Sequence, residues 1–171
     1  MPTLTPFTHD EFLAAIDALA ATFRENDWTP ALLVGVGRGG LTPAVFLSHA
    51  TGLPMVSIDF STPIPAFNDA LIDTLAARTR DGERQLFVED INDSGRTIAA
   101  IRAKLRAAGA IIGNVRFAVL IDNISSVATV DYRFQTIDRH TTKDWFVFPW
   151  EAVAPRDAIV EDSRQVPART A

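Results

Sequence analysis

The sequence predicts an α/β fold with a doubly wound, mostly parallel sheet and helices on both of its faces. Short apolar runs alternate along the chain with longer segments of helical periodicity, and this alternation is typical of a parallel sheet. The apolar runs also lack polar residues at every second position, as expected for strands that are buried on both faces. A length of 171 residues suits one domain.

The first helix is predicted at 9–25, where a polar start is followed by apolar residues at helical spacing. Thr8 and Glu11 match a capping box, in which each side chain accepts a hydrogen bond from the backbone N–H group of the other residue. The residues expected on the buried face are Phe12, Ile16, Leu19 and Phe23.

The elements that follow alternate between strand and helix. Strands are predicted at 31–36, 55–60, 85–88, 115–121 and 132–137. Helices are predicted at 41–50 and 96–108, with a short helix near 70–78 inside a long connection at 61–83. The composition turns polar after Trp150, so we expect a single domain over 1–161 and a flexible tail at 162–171.

The composition excludes several classes of protein. The chain has no cysteine, which rules out disulfides, thiolate metal sites and a thiol nucleophile. Its net charge of −5 and its scattered arginines, with only Lys104 and Lys143 as lysines, argue against a nucleic-acid partner. The apolar runs are far shorter than the roughly 20 residues that span a bilayer. Since the N-terminus also lacks a signal-peptide pattern, we expect a cytoplasmic protein that binds a small molecule and no membrane.

The first glycine-rich turn directly follows the strand at 31–36. Residues 35–40 match the pattern G-x-G-x-x-G, and Asp59 lies near the end of the next predicted strand. A dinucleotide site has this arrangement, with the acid on a ribose hydroxyl. Two other interpretations also fit the turn: a site for another anion, and a tight turn that uses glycine for its backbone conformation alone.

The second turn follows the strand at 85–88 and contains more groups that could bind a ligand than the first turn does. Glu89, Asp90 and Asp93 lie within five residues, and carboxylates so close to a buried strand are costly unless a cation or hydroxyl groups satisfy them. Residues 94–97 then offer backbone N–H groups, a glycine and two hydroxyls at a helix start, which are the features that bind a phosphate. The segment predicts a ligand with a phosphate and either a sugar diol or a metal. The alternative is an acidic helix cap that binds no ligand.

Three segments together resemble one enzyme family. Residues 87–97 resemble the phosphoribosyl-pyrophosphate signature of the type I phosphoribosyltransferases, in which an apolar strand precedes two acids, two variable residues, Asp, Ser or Thr, Gly, any residue and Thr. Residues 36–40 are similar to the pyrophosphate loop of this family, and residues 144–151 to the purine-stacking segment of its xanthine–guanine branch. The matches occur in the family's order over 31–151 and disfavour the dinucleotide interpretation.

The resemblance implies a function. A phosphoribosyltransferase of this branch carries out a Mg²⁺-dependent transfer of ribose 5-phosphate from phosphoribosyl pyrophosphate to a purine-like nucleobase, releases pyrophosphate and serves purine salvage. The resemblance also implies a small hood built from the terminal segments and a homo-oligomer, either a dimer or a tetramer. A regulator that binds phosphoribosyl pyrophosphate or a nucleotide without turnover is the alternative on the same fold.

The resemblance also assigns roles to individual residues. Asp93 is expected to take the proton that the base loses, and Trp145 to stack on the base unless it belongs to the core. Glu89 and Asp90 are expected to bind the ribose hydroxyls and Mg²⁺, with Glu151 as a further metal or pyrophosphate contact. The expected phosphate ligands are Ser94, Gly95, Arg96 and Thr97 for the 5′-phosphate, and Arg38, Gly39 and Gly40 for the pyrophosphate.

Asp122 stands where the 6-oxopurine enzymes of the family carry a lysine that donates to the purine oxygen. An ionised carboxylate only accepts hydrogen bonds, so Asp122 as a base-binding residue favours an amino group over a carbonyl. A modified base, a contact through Asn123, and a loop-capping role for Asp122 without ligand contact are further interpretations. The connection at 61–83 corresponds to the family's lid, but it lacks the Ser-Tyr pair common in relatives.

Overall fold

A computed structural model of the protein describes residues 3–59, 65–164 and 166, and confirms the predicted α/β fold. Its strands are β1 (Leu4–Pro6), β2 (Leu32–Val36), β3 (Met55–Ile58), β4 (Gln85–Asn92), β5 (Val115–Asn123), β6 (Tyr132–Ile137) and β7 (Trp145–Val147). Its helices are α1 (His9–Glu25), α2 (Gly37–Thr51), α3 (Pro65–Arg80), α4 (Arg96–Ala107) and α5 (Arg156–Ser163). Short 3₁₀ turns lie at Ile112–Asn114 and Pro149–Glu151.

Five strands form the central sheet in the order β3-β2-β4-β5-β6, and every neighbouring pair is parallel. The chain adds β3 on one side of β2 and β4 to β6 on the other. The carboxyl ends of β2 and β4 therefore flank a topological switch point, where open α/β sheets bind their ligands. The terminal strands β1 and β7 pair in parallel as a small second sheet.

Helices cover both faces of the central sheet. Apolar residues of α1 and α2 pack on one face, and those of α3 and α4 pack on the other. Leu33 and Val34 are consecutive in β2, belong to different cores and are both fully buried. Each such side chain contributes about 1.5–3 kcal/mol of hydrophobic stabilisation. This double burial explains why the strand sequence has no polar alternation.

The predicted start of α1 is confirmed. Oγ1 of Thr8 accepts a hydrogen bond from the N–H group of Glu11 at 3.2 Å, and Oε2 of Glu11 accepts one from the N–H group of Thr8 at 2.7 Å. The bond from the Thr8 N–H group, together with one that the Thr8 hydroxyl donates to the same carboxylate, lowers the pKa of the Glu11 carboxyl. The four predicted core residues of the helix are all buried, namely Phe12, Ile16, Leu19 and Phe23.

Two boundaries beside the switch point differ from the prediction. β4 continues past residue 88 to Asn92, because it pairs with β5 as far as Asn92 opposite Asp122. Helix α2 begins at Gly37 and not at Leu41, so the glycine turn forms the first turn of the helix. Both differences bring polar residues onto regular elements, which holds them more rigidly than a loop would.

The predictions for the end of β3, for the lid and for the C-terminal tail concern segments farther from the switch point. β3 ends at Ile58, while residues 60–64, which contain the end of the predicted strand and the start of the predicted lid, lie outside the described residues. Helix α3 is longer than the predicted helix at 70–78. Helix α5 includes Asp162 and Ser163, and most of the predicted tail beyond them is not described. In the described part of the chain, no helix has both the length and the apolar character to cross a membrane.

Candidate active site

A cavity of about 1090 Å³ opens at the carboxyl ends of β2 and β4. Most residues with predicted roles line it, namely Arg38, Gly39, Glu89, Asp90, Asp93, Ser94, Gly95, Arg96, Thr97, Trp145 and Glu151. Gly40 and Asp122 are not part of the lining. The switch point of the sheet thus brings together three segments that are distant in sequence.

The glycine turn packs directly on β4. A Cβ atom on Gly40 would lie 2.0 Å from the carbonyl oxygen of Val88, and one on Gly39 would lie 2.2 Å from Oδ2 of Asp90. Such distances are far below van der Waals contact. Gly40 is therefore required for the close approach of α2 to the strand backbone, whereas a side chain at Gly39 would displace the carboxylate of Asp90. The long side chain of this turn, Arg38, lines the cavity.

Glu89 and Asp90 lie near the carboxyl end of β4, and both line the cavity. Oδ1 of Asp90 accepts a hydrogen bond from the N–H group of Ile91 at 2.7 Å. Burial, together with the neighbouring charge of Asp90, raises the pKa of Glu89 well above its ordinary value. The negative charge on Glu89 is therefore unfavourable in the protein alone, and a cation or hydroxyl donors would stabilise it.

Residues 94–97 connect β4 to α4. Gly95 precedes the first turn of α4 with φ at +81°, a left-handed conformation that favours glycine. A Cβ atom there would also lie 2.4 Å from Oγ of Ser126 and 2.6 Å from the backbone nitrogen of Ala128, so the loop after β5 supports the turn from behind. Because the first turn of α4 has no acidic residue, its N–H groups and its dipole form a positive site suited to an anion.

Arg139, which the sequence-based interpretation missed, pairs with Asp93 in the cavity wall. Nε of Arg139 donates to Oδ1 of Asp93 at 2.8 Å, and Nη2 donates to Oδ2 at 3.2 Å. The two side chains are 2% and 6% exposed, so this is a buried bidentate ion pair. The partners are 46 residues apart. The sequence gives no spacing signal for the pair beyond the place of Arg139 shortly before the aromatic segment 144–151.

Asn123, at the end of β5, holds both partners of this ion pair. Its Nδ2 donates to the carbonyl oxygen of Asp93 at 2.9 Å, and its Oδ1 accepts from the N–H group of Arg139 at 3.1 Å. Asn123 is itself buried. Its amide therefore fixes the backbones of the β4–α4 turn and of the loop after β6 relative to each other.

The carboxylate of Asp122 is bound by neighbouring side chains and does not line the cavity. Its carboxylate accepts from Nδ2 of Asn92 at 2.8 Å and from Nη1 of Arg133 at 3.4 Å. Nδ2 of Asn92 also donates to the carbonyl oxygen of Ala128, in the loop behind the phosphate-binding turn. This geometry favours the loop-stabilising interpretation of Asp122, and its role as a base-binding residue stays a prediction that no described contact supports.

Aromatic side chains form the wall next to Arg139. Trp145 and Phe146, from β7, are half-buried and line the cavity. Cζ of Arg139 lies 5.6 Å from the centre of the Phe146 ring. Phe148 and Trp150 stack on each other with ring centres 5.0 Å apart and planes 7° apart. Trp145 is therefore placed in a cavity wall and not in one of the two cores.

The segment after β7 closes another side of the cavity. Oε2 of Glu151 accepts from the N–H group of Phe148 at 2.9 Å. Burial and the charge of Asp162 raise the pKa of Glu151, although that hydrogen bond and the charge of Arg38 oppose the rise. Asp162 and other α5 residues line the cavity, so a segment that was partly predicted to be a tail contributes to the wall.

Comparisons with known proteins agree with this arrangement. The family model of the phosphoribosyl transferase domain matches residues 7–154. The chain is 24% identical over 147 residues to the xanthine-guanine phosphoribosyltransferase of Desulfotalea psychrophila, an alignment that covers 85% of each chain. The crystal structure of a purine phosphoribosyltransferase from Pyrococcus horikoshii has a TM-score of 0.67 and 29% identity, over 89% of this chain and 97% of that chain.

The fold is also that of the xanthine-guanine-hypoxanthine phosphoribosyltransferase of Helicobacter pylori, with a TM-score of 0.65 and 22% identity over 94% of this chain and 99% of that chain. The family match covers most of the chain and includes every wall of the cavity except α5. The resemblance noted in the sequence is thereby confirmed, and the chain belongs to the phosphoribosyltransferase family of enzymes.

Proposed function

We propose that this protein transfers the ribose 5-phosphate group of phosphoribosyl pyrophosphate to a purine base and releases pyrophosphate. The observation that carries the proposal is a single cavity in which an anion-binding turn, an acidic pair and an arginine-bearing glycine turn meet at the switch point of the sheet. The names of the relatives, which are purine phosphoribosyltransferases, support a purine as the acceptor.

Two turns would hold the two phosphate-bearing ends of the substrate. The N–H groups and hydroxyls of residues 94–97 suit the 5′-phosphate at the start of α4. Arg38 and the N–H group of Gly39 suit the pyrophosphate, since the guanidinium fork matches phosphate oxygens. Gly40 packs against Val88 behind the lining, so its predicted part in pyrophosphate binding would be through the shape of the turn.

Mg²⁺ fits this cavity as a partner of the substrate. Among the described residues no three potential ligand side chains converge on one point. Mg²⁺ is often held by one or two carboxylates together with phosphate oxygens and waters. Glu89 and Asp90 would supply the carboxylates, because the raised pKa of Glu89 reflects a charge that a cation would stabilise. Glu151 lines the same cavity and would be a further contact.

When bound, the ion would offset the charge that builds up on the departing pyrophosphate. Positive charge develops on the ribose at the same time, and the carboxylates of Glu89 and Asp90 would stabilise it while they orient the ribose hydroxyls. Positioning and electrostatics would therefore provide the catalysis, and the reaction needs no covalent intermediate with the protein.

Asp93 would accept the proton that the incoming base loses, and Trp145 would stack on the base. Both oxygens of Asp93 accept from Arg139, and both residues line the cavity, so a base bound there would meet this ion pair in the cavity wall. A dimeric or tetrameric assembly stays a prediction from the family resemblance, and a cytoplasmic location stays a prediction from the composition and the N-terminal sequence.

The direct test measures pyrophosphate release in the presence of Mg²⁺, phosphoribosyl pyrophosphate and a panel of oxo- and aminopurines and pyrimidines. Asp93→Asn should lower kcat by about 10²–10⁴-fold, the contribution of a positioned general base. Asp73→Asn, a change of the same chemistry on the exposed face of α3, should leave kcat unchanged. If the unsubstituted protein releases no pyrophosphate with any base, the proposal is wrong.

The ion pair between Arg139 and Asp93 favours one second candidate, a regulator that binds phosphoribosyl pyrophosphate without turnover. Both oxygens of Asp93 already accept hydrogen bonds from a buried guanidinium group, and this arrangement would also suit a side chain that only holds the β4–α4 turn in place. Tight binding of phosphoribosyl pyrophosphate by calorimetry, together with no pyrophosphate release from any base, would identify this candidate.

A further inference from the structure

We infer that a second cavity of this protein, at the amino ends of β5 and β6, is an anion site that binds the phosphate group of a small molecule. The second cavity has a volume of about 440 Å³ and lies at the opposite end of the parallel strands from the candidate active site. Its lining includes Arg102, Arg106, Arg116 and Asp131, and within the described residues it shares no lining residue with the first cavity. The inference is therefore independent of the proposed function.

The three arginines of the second cavity come from two elements of the fold. Arg102 and Arg106 are four residues apart in α4, so they lie on one face of the helix. Arg116 is the second residue of β5, and Asp131 directly precedes β6. Three guanidinium groups and one carboxylate leave a surplus of two positive charges in this lining. The chain as a whole has a net charge of −5, so this concentration of positive charge is local.

Aromatic side chains hold two of these guanidinium groups in place. Cζ of Arg102 lies 4.7 Å from the centre of the Phe117 ring. Cζ of Arg116 lies 4.7 Å from the centre of the Trp28 ring, and Nη1 of Arg116 donates a hydrogen bond to the hydroxyl of Tyr132. Stacking occupies one face of a guanidinium group and leaves N–H groups at its edge for an acceptor. The two cations are therefore positioned before a ligand binds, which lowers the entropy cost of binding.

The carboxylate of Asp131 compensates these positive charges only in part. Its Oδ2 accepts a hydrogen bond from the N–H group of Phe117 at 2.9 Å, and its Oδ1 lies 3.9 Å from Nε of Arg116, which is beyond hydrogen-bond distance. In the described part of the chain, the guanidinium groups of Arg102 and Arg106 have no hydrogen-bond acceptor. Burial lowers the pKa of Arg102, the charge of Asp131 opposes this effect, and the charge of Arg106 adds to it. An anion between the two arginines of α4 would offset both the burial and the repulsion.

A phosphate group matches the second cavity in charge and in geometry. A phosphate ester carries about 1.5 to 2 negative charges at neutral pH and has three strong acceptor oxygens, which suits the surplus of positive charge. The planar fork of a guanidinium group fits two phosphate oxygens, and Thr129 adds a hydroxyl to the same lining. Ile112 and Val115 also line the cavity and would contact the apolar part of the ligand. The volume lies in the range of sites for small molecules.

Inorganic pyrophosphate is the probe, and calorimetric titration at constant ionic strength counts the sites that bind it. The unsubstituted protein should bind one pyrophosphate in the second cavity, in addition to any that binds at the candidate active site. Arg102→Met and Arg106→Met should each raise the Kd of this site by at least about tenfold, the loss expected for a charge-assisted hydrogen bond. Arg24→Met is the matched control, since it removes a charge from the exposed end of α1 outside both cavities.

A second pair of variants tests the site without removing an arginine. Gly113 lines the second cavity, and a Cβ atom there would meet nothing within 4 Å. Gly113→Asp adds a negative charge to the lining and should raise the Kd for pyrophosphate, because like charges repel. Gly113→Asn, which is neutral and of the same size, should leave the Kd unchanged. Citrate carries a similar charge on carboxylates, and a Kd for citrate as low as that for pyrophosphate would overturn the assignment to phosphate.

The outcomes separate this site from the candidate active site. Pyrophosphate binding that only Arg38→Met weakens would overturn the inference and leave the proposed function intact. Binding that depends on Arg102 and Arg106 but not on Arg38 would support the inference and contradict the proposed pyrophosphate contact of Arg38. If the arginine variants do not fold, the two substitutions of Gly113 decide, and equal Kd values for them would overturn the inference.

Discussion

The turns after β2 and after β4 occupy equivalent places in the fold and differ in what their glycines do. Each turn joins a buried parallel strand to a helix. In the first turn, Gly40 is required because the backbone of α2 lies against β4, and Gly39 leaves room for the carboxylate of Asp90. In the second turn, Gly95 sits between acidic residues and the positive end of α4.

Glycine spacing therefore indicates a close approach of two backbones, whereas the charged side chains of a turn indicate which ligand it binds. The pattern G-x-G-x-x-G at 35–40 fits a dinucleotide site by spacing alone. Asp59, the acid that such a site needs, is not part of the cavity lining. The first turn contributes one charged side chain, Arg38, and the second contributes the groups that would bind a sugar phosphate.

The largest effect is expected from a substitution that disrupts the packing of the first turn against β4. Gly40→Ala should lower the free energy of unfolding by about 3 kcal/mol, because its Cβ would meet the carbonyl oxygen of Val88, which belongs to the backbone and cannot turn away. Urea unfolding measures this change. Gly113→Ala is the control, since a Cβ there meets nothing within 4 Å. Equal stability of the two variants would show that the turn does not pack on β4 as described.

The next largest effect is expected at Arg38, where a substitution tests pyrophosphate binding without disturbing the packing of the turn. Arg38→Met should keep the free energy of unfolding and lower kcat/KM for phosphoribosyl pyrophosphate by roughly 100-fold, the loss expected for charge-assisted hydrogen bonds to a phosphate. Arg24→Met, outside the lining of both cavities, is the matched control. Steady-state kinetics at saturating base would check this, and an unchanged kcat/KM would remove Arg38 from the site.

The smallest effect concerns the acidic pair of β4. The folded protein holds a proton on Glu89 to a higher pH than the unfolded chain does, so stability should fall as the pH rises from about 4.5 through the raised pKa. Glu89→Gln should flatten this dependence. At neutral pH it should raise Tm by about 2–4 °C, the shift that about 1 kcal/mol produces in a chain of this size.

Activity should move in the opposite direction, because the glutamine amide cannot supply the charge that the ribose and Mg²⁺ need. Thermal unfolding between pH 4 and pH 8 and pyrophosphate release at neutral pH check the two halves of this prediction. A variant with the stability profile of the unsubstituted protein would contradict the unfavourable charge assigned to Glu89.

Local patterns predicted much of the fold and part of the site. The capping box of Thr8 and Glu11 and the helical spacing of α1 depend on neighbours in sequence, so they could be identified directly. The unbroken apolar run of β2 indicated burial on both faces, which the two cores confirm. The clustering of Glu89, Asp90 and Asp93 at a strand end was sufficient to predict that they line one cavity.

Contacts between distant segments could not be predicted in this way. Arg139 reaches Asp93 only because β6 and β4 lie in one sheet with β5 between them. The direction of the Asp122 side chain depends on the amide of Asn92, a partner 30 residues away. The contribution of α5 to the cavity depends on how the segment after Trp150 folds back, and its polar sequence indicated only exposure.

The decisive experiment is a crystal structure with phosphoribosyl pyrophosphate and Mg²⁺ bound. We expect the 5′-phosphate at the N-terminus of α4, within hydrogen-bond distance of residues 94–97, and the ribose hydroxyls against Glu89 and Asp90. A 5′-phosphate bound elsewhere in the protein, or a cavity that excludes the ligand at saturating concentration, would contradict it.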